Sequence, residues 1–261
     1  MLEYIPLVII GVMRKIKCSL VLLTVVCMLI ASACATTRKG ALFSDRPIAI
    51  VSVVSNYDVN WKGEEPITTT YAVGNAIRRT RKVDEDWVTF TRADNIIDEA
   101  EEIIRSSLGK FSNVTLAPKD EILRSRSYNE ARLNPVQEKE KMIHPTDYRM
   151  VYYGDKNLYP ALARETGIEK FLFVTLNLTK EMSSGLGKNG RFRAKVSMSV
   201  MLKDIRGKTL FYNTYESASY DEVKVTSGAY SENDLLELLR FTISDVCRVF
   251  LKDLKLLVEA N

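Results

Sequence analysis

Phe192, Ala194, Val196, Met198, Val200 and Leu202 alternate with Arg193, Lys195, Ser197 and Ser199. A period of two marks a β-strand with one apolar face. The run Phe171–Leu178 precedes it. Asp204-Ile205-Arg206-Gly207-Lys208 follows as a tight turn, and residues 209 to 220 return from that turn as a third strand. Residues 170 to 220 therefore read as an antiparallel three-stranded meander. A sheet with an apolar face has to be covered by another layer. The chain supplies a cover at its end. Ser231-Glu232-Asn233-Asp234 is a capping pattern. Leu235, Leu236, Leu239, Ile243, Val246, Phe250, Leu254 and Leu257 then recur three and four apart, as on a long amphipathic helix.

The rest of the chain fits the same architecture. Pro47 opens the strand Ile48–Val54, whose nearly unbroken apolar run suits burial on both faces. Thr91-Arg92-Ala93-Asp94 is a second capping pattern. It precedes a helix carrying Ile96, Ile97, Ala100, Ile103, Ile104 and Leu108, which Gly109 stops. A short strand is expected at Val114–Ala117, and a helix start at Pro118. Residues 132 to 157 are polar, and Pro135 and Pro145 break any long helix there. A helix over 158–166 ends at Gly167. This order predicts an α/β fold: a single sandwich domain with a mixed sheet, a C-terminal antiparallel meander and a long closing amphipathic helix.

Gly185, Gly187 and Gly190 match the spacing of a dinucleotide fingerprint. That fingerprint needs a helix after the glycines, so that its N-terminus can hold a pyrophosphate. Here a strand follows, so the glycines read as a hairpin loop.

The N-terminus carries a different signal. Arg14, Lys15 and Lys17 precede an apolar stretch from Leu20 to Ile30, then Ala31-Ser32-Ala33-Cys34. About a dozen apolar residues suit a secretory signal core better than a spanning helix, which needs about 20. The pattern resembles the lipobox of bacterial lipoproteins, with Ala31 where Leu is common. The resemblance implies cleavage before Cys34, a diacylglycerol on its thiol and acylation of the new N-terminus. The other reading is an uncleaved N-terminal anchor. Met13 is the better signal start, because residues 1 to 12 place apolar residues ahead of the basic cluster. The expected organisation is a signal at 1–33, a lipidated tether at 34–46 and a domain at 47–261 with an inserted irregular segment at 56–92. Ala35, where an Asp would signal retention under the usual sorting rule, favours the periplasmic face of the outer membrane.

Removing Arg14, Lys15, Lys17 and Glu3 with the signal brings the net charge from +4 to +2. So weak a field gives no footing for nucleic acid. Of the four cysteines, Cys18 and Cys27 fall in the signal and Cys34 at the lipobox. Cys247 remains, beside the apolar stripe of the last helix, and reads as a small buried hydrophobe.

The element order carries a second resemblance. Ile48–Val53, the step from Ala161 through Gly167 to Val174, and the Asp204, Gly207, Lys208 turn are similar to the curli-secretion lipoproteins and the penicillin-binding-protein activators. That group shares the fold of the TolB N-terminal domain. The loop at 183–190 is too short for the hairpins of the curli pore, so no pore is expected.

Catalytic signals are sparse. The one histidine, His144, stands in a polar loop, and no G-x-S-x-G occurs. One histidine and one unlipidated cysteine do not make a zinc site, and no cofactor is expected. Carboxylate-based hydrolysis is the chemistry the residue set leaves open. The run Asp94, Asp98, Glu99, Glu101 and Glu102 reads as the solvent face of a helix.

The expected function is therefore binding: an envelope assembly or accessory lipoprotein, with a small-ligand receptor as the alternative. The candidate partner-binding residues are Trp61, Trp87, Arg78 and Arg79, since Trp and Arg are common interface anchors. Two bland readings stand beside this. The tryptophans could pin the segment to the domain, and Arg78–Lys82 could be a solvated loop balanced by Asp84, Glu85 and Asp86.

Overall fold

The structure, a computed structural model, describes residues 46–62, 87–111, 114–186 and 189–259. The first strand, β1 (Ile48–Ser55), is buried along its whole length. Two short strands, β2 (Asn60–Trp61) and β3 (Trp87–Val88), bound the 63–86 segment. A 3-10 turn (Ala93–Asn95) leads into α1 (Ile97–Gly109). Three short helices follow: α2 (Lys119–Leu123), α3 (Arg126–Asn129) and α4 (Pro135–Lys139). Next come α5 (Leu158–Thr166), β4 (Lys170–Leu186), β5 (Asn189–Asp204), β6 (Thr209–Ala218), β7 (Val223–Val225), β8 (Tyr230–Ser231) and α6 (Glu232–Glu259).

The sheet is mixed, as expected. Its order is β1-β4-β5-β6, with β1 parallel to β4 and the other pairs antiparallel. Beyond the end of β1, β2 continues along β4, and beyond β6, β7 continues along β5. The meander spans the expected residues. The glycine-rich stretch is a hairpin, with Gly185 opposite Gly190. The turn after β5 is locked locally. Asp204 Oδ1 accepts from the N–H groups of Arg206 and Lys208 at 2.8 and 2.9 Å, and Gly207 adopts φ +72°.

Alternation along β4 and β5 separates two cores. One face carries Leu172, Val174, Leu176 and Leu178 with Phe192 through Leu202, and α1 and α6 cover it. From α6 come Leu235, Leu239, Ile243, Val246, Phe250 and Leu254, all buried. Full burial of each such side chain is worth about 1.5–3 kcal/mol. The cap read at Ser231 is present, since its Oγ accepts from the Asp234 N–H at 3.2 Å. The other face carries Ala49, Val51, Phe171 and Phe173, packed against Ile122, Tyr128, Tyr159 and Leu162. Helix α5 ends where the sequence indicated, with Gly167 in the left-handed region at φ +71°.

Three expectations need correction. Val114–Ala117 is not the short strand expected: a single bridge joins Leu116 to Ile48. Thr91 does not cap a helix. Its hydroxyl bonds the Tyr230 hydroxyl instead, and the residues before the 3-10 turn and before α1 make no side-chain cap. The acids of α1 are not all solvated. Glu101 is 4 % exposed and accepts from Arg105 Nε and the Tyr148 hydroxyl, both at 2.8 Å. Glu99 pairs with Arg240 of α6, whose hydrogen bond holds the Glu99 carboxyl below its usual range. Asp98 accepts from the Thr146 N–H and hydroxyl.

The stretch 132–157 gains its order from long-range contacts. Asn134 caps α4 by accepting from the Val136 N–H at 3.1 Å. Isolated bridges join Leu133 to Val151 and Ile143 to Ser55.

Candidate functional site

The two tryptophans stand on the strands that begin and end the 63–86 segment, Trp61 on β2 of the six-stranded sheet and Trp87 on β3, which forms a separate two-stranded sheet with β8. Trp61 lies opposite Lys180 in the parallel β2–β4 pairing. Trp87 lies opposite Ser231 in the antiparallel β3–β8 pairing, with Val88 opposite Tyr230. The Trp61 ring meets Phe192 edge-on at 5.2 Å between centroids and Tyr230 at 6.5 Å. Phe192 and Tyr230 meet edge-on at 5.1 Å. Edge-to-face pairs of this kind add about 0.5–1.5 kcal/mol beyond area burial.

A lysine is enclosed by this aromatic cluster. Lys180 is 2 % exposed, and its Nζ donates to the Tyr230 hydroxyl at 2.8 Å. The same Nζ lies 5.0 Å from the Trp61 ring centroid and 4.7 Å from that of Tyr230. An ammonium over a ring face is held by the quadrupole, most strongly where water is excluded. The Tyr230 hydroxyl also bonds Thr91 Oγ1 at 3.1 Å. Burial pushes the Tyr230 phenol far above its ordinary range, so it serves as a neutral bridge between the two side chains.

The chain leaving β1 is stitched down beside this cluster. Asn56 Oδ1 accepts from the Leu178 N–H at 2.7 Å and its Nδ2 donates to the Leu178 carbonyl at 2.9 Å, so one side chain mimics a ladder step. Val59 donates its N–H to the Thr91 carbonyl at 3.0 Å, and Ala93 donates to Tyr57 at 2.8 Å. Arg92 lies over the Tyr57 ring at 5.3 Å and the exposed Phe90 ring at 5.9 Å. Both ends of the 63–86 segment thus leave a platform held by backbone pairing, an aromatic cluster and a buried cation.

Of the residues singled out from the sequence, Trp61 and Trp87 come to this one platform and both are half-buried. Cys34, Arg78 and Arg79 lie outside the described residues. His144 is exposed, with Nδ1 3.0 Å from the Pro145 carbonyl oxygen. Cys247 is buried as read, and burial pushes its thiol up to about 12. Among the described residues no cluster of His, Cys, Asp or Glu could hold a metal ion. No described helix is long and apolar enough to cross a membrane. Sequence reading missed Lys180, although a signal was present. The inward positions of β4 run Leu172, Val174, Leu176, Leu178, Lys180, and a lysine closing an apolar alternation marks a buried or caged cation.

No family model matches the chain, and no curated protein matches it. Solved structures do. The LpoB C-terminal domain from Salmonella enterica is similar at 10 % identity and TM-score 0.31, over 67 % of this chain and 84 % of that one. The hypothetical protein CT253 from Chlamydia trachomatis is similar at 11 % identity and TM-score 0.36, over 84 % and 100 %. Lipoprotein GNA1162 from Neisseria meningitidis is similar at 12 % identity and TM-score 0.30, over 77 % and 96 %. At such TM-scores the likenesses carry no inference about partners or activity.

Proposed function

We propose that the protein is a non-enzymatic lipoprotein of the bacterial cell envelope. It is anchored through acylated Cys34 and docks another envelope protein with its α/β domain, residues 47–261. The anchor rests on the basic cluster, the short apolar run and Ala31-Ser32-Ala33-Cys34. Two or three acyl chains hold a protein stably to a membrane where one does not. Ala35 favours the outer membrane, with the domain on the periplasmic side.

The observation that carries the docking half is the shared platform of Trp61 and Trp87. The strands on either side of the 63–86 segment meet at Tyr230, which pairs with Val88 across β3–β8 and packs against Trp61, and binding loops are commonly carried between such scaffold strands. Arg78 and Arg79 belong to that segment and are assigned with the tryptophans to the contact. A small-ligand receptor would instead close a cleft between two lobes, and the described strands β1, β4, β5 and β6 build one sheet.

Replacing residues 63–86 by a short Gly/Ser linker tests this reading. Cross-linking in native membranes should then lose one discrete partner adduct that the unaltered chain gives, while the denaturation midpoint of the domain is kept. The same adduct at the same yield would overturn the assignment of the segment.

A further inference from the structure

Strand β6 is an edge strand. Among the described residues it pairs with β5 alone. Ser219, just past its end, donates its N–H to the Ala194 carbonyl at 2.8 Å, which fixes the phase of the antiparallel ladder. Between Phe211 and Ser217 the odd-numbered residues therefore bond to β5, and Tyr212, Thr214 and Glu216 turn their N–H and carbonyl groups outward. Native proteins blunt such edges with lysine, proline, bulges or short strands. This edge runs for 10 residues, carries Glu216 as its one charge and contains no Lys, Pro or Gly. Its register shift lies at one end, opposite Leu202 and Lys203. The Thr214 N–H meets an acceptor of its own chain, Asn213 Oδ1 at 2.9 Å, which a pairing strand would replace.

The edge and the helix above it are self-complementary about one point. Tyr212, Thr214 and Glu216 are centred on Thr214. A two-fold axis there sets Thr214 opposite its own copy and Tyr212 opposite Glu216, so no like charges oppose. Helix α6 packs on β5 and β6 alike. Its Asp253 stands over the same point, accepting from the Tyr215 hydroxyl at 2.6 Å and lying 3.5 Å from Asn213 Nδ2. Strands lie about 4.8 Å apart, so a helix seated midway over β5 and β6 falls about 10 Å from its copy across that axis, the usual distance between packed helices. The flank of α6 on this side carries Val249 and Leu256, 44 % and 58 % exposed. Antiparallel helices centred between Lys252 and Asp253 bring Val249 against Leu256 of the copy and Lys252 against its Asp253, each contact twice.

We infer that β6 and α6 form an interface with a second copy of this chain, a two-fold dimer in which the sheet continues from β6 to β6 and the two α6 helices pack antiparallel. The occupant is a second copy because the strand edge, the helix spacing and the Lys252–Asp253 charge match meet at a single axis. The inference goes beyond the docking reading above and rests on neither the Cys34 anchor nor the tryptophan platform. An unmodified Cys34 would leave it standing.

The test uses the full chain, with the unaltered chain as baseline. A Tyr212→Cys chain and a Glu216→Cys chain, differently tagged, are co-expressed and oxidised in native membranes. Paired residues of such a ladder lie about 5.5 Å apart at Cα, within disulfide reach. The mixed chains should give a disulfide-linked dimer carrying both tags. Either chain alone should not, because identical positions then stand four residues, about 14 Å, apart along the strand. Sedimentation velocity of the purified unaltered chain in detergent should show a dimer. Leu256→Asp should weaken it by more than about tenfold, since apolar burial is lost on both sides of the axis. Thr214→Pro should weaken it as well, by deleting an N–H that β5 does not use. Phe241→Ala, at an exposed aromatic of α6 that the axis leaves unopposed, should leave it unchanged. Circular dichroism of each variant should match the unaltered chain. Any of four results would overturn the inference: no adduct from the mixed chains, equal adduct from either chain alone, a monomer in detergent, or a dimer indifferent to both Leu256→Asp and Thr214→Pro.

Discussion

Tyr230→Phe isolates the polar half of the tryptophan platform. The substitution keeps the ring that meets Trp61 and Phe192 and deletes the hydroxyl that joins Lys180 to Thr91. Two hydrogen bonds are lost at a fully buried residue, at 2.8 Å to the ammonium and 3.1 Å to the threonine hydroxyl. A hydrogen bond to a charged group is worth about 1.5–3 kcal/mol and a neutral one about 1 kcal/mol. The ring contacts to Lys180 remain and retain part of the stabilisation, so the expected loss is about 2–3 kcal/mol. Urea denaturation followed by tryptophan fluorescence is the assay, since both tryptophans of the chain flank the site. Tyr220→Phe, at a residue 95 % exposed, should change stability by less than about 0.5 kcal/mol. A cycle with Thr91→Val should show a coupling of about 1 kcal/mol between the two hydroxyls. A loss below about 0.5 kcal/mol in Tyr230→Phe, with no coupling to Thr91, would refute the bridge.

Burial raises the phenols of Tyr128, Tyr148, Tyr159, Tyr215 and Tyr230 above the ordinary value. Their contribution to stability is fully present below about pH 10 and is lost as pH rises further, because the unfolded chain then releases protons that the folded chain keeps. Phenolate absorbance at alkaline pH should accordingly show a fraction of the tyrosines titrating only together with loss of the circular dichroism signal. The Cys247 thiol, buried and pushed up to about 12, should resist a thiol reagent in the native protein and react once it is unfolded. Gly207→Ala should cost about 1–3 kcal/mol in thermal denaturation, because an added Cβ would fall 2.7 Å from the Tyr159 ring at a φ of +72°. Glu101→Gln should cost about 1–3 kcal/mol, since it leaves the hydrogen-bonded Arg105 without its carboxylate.

Periodicity carried most of the fold. Strand β1, the β4–β6 meander, helix α5 with Gly167 and helix α6 with its Ser231 cap all repeat a pattern long enough to read. Helices α3 and α4 do not, and α2 was signalled only by Pro118, which stands at its N-cap. At four or five residues each is shorter than two turns, and caps such as Asn134 and bridges such as Ser55 to Ile143 hold them in place. Contacts between distant residues were hidden for the same reason. Glu101 looks like its solvated neighbours until Tyr148, 47 positions away, closes over it. Thr91 looks like a cap until Tyr230, 139 positions away, takes its hydroxyl. At the platform, the sequence pointed to both tryptophans but not to their common location. That depends on β2 pairing with β4 and β3 with β8, and strands of two residues have no period to detect.

The account turns on Cys34, because anchoring at an envelope membrane decides where the platform and its partner meet. The most direct measurement is the intact mass of the protein isolated from its native membrane, beside a Cys34→Ser variant. The account predicts a chain that begins at residue 34 and carries diacylglyceryl and acyl mass, with both features lost in the variant. An unmodified chain, cut elsewhere or not at all, would contradict it.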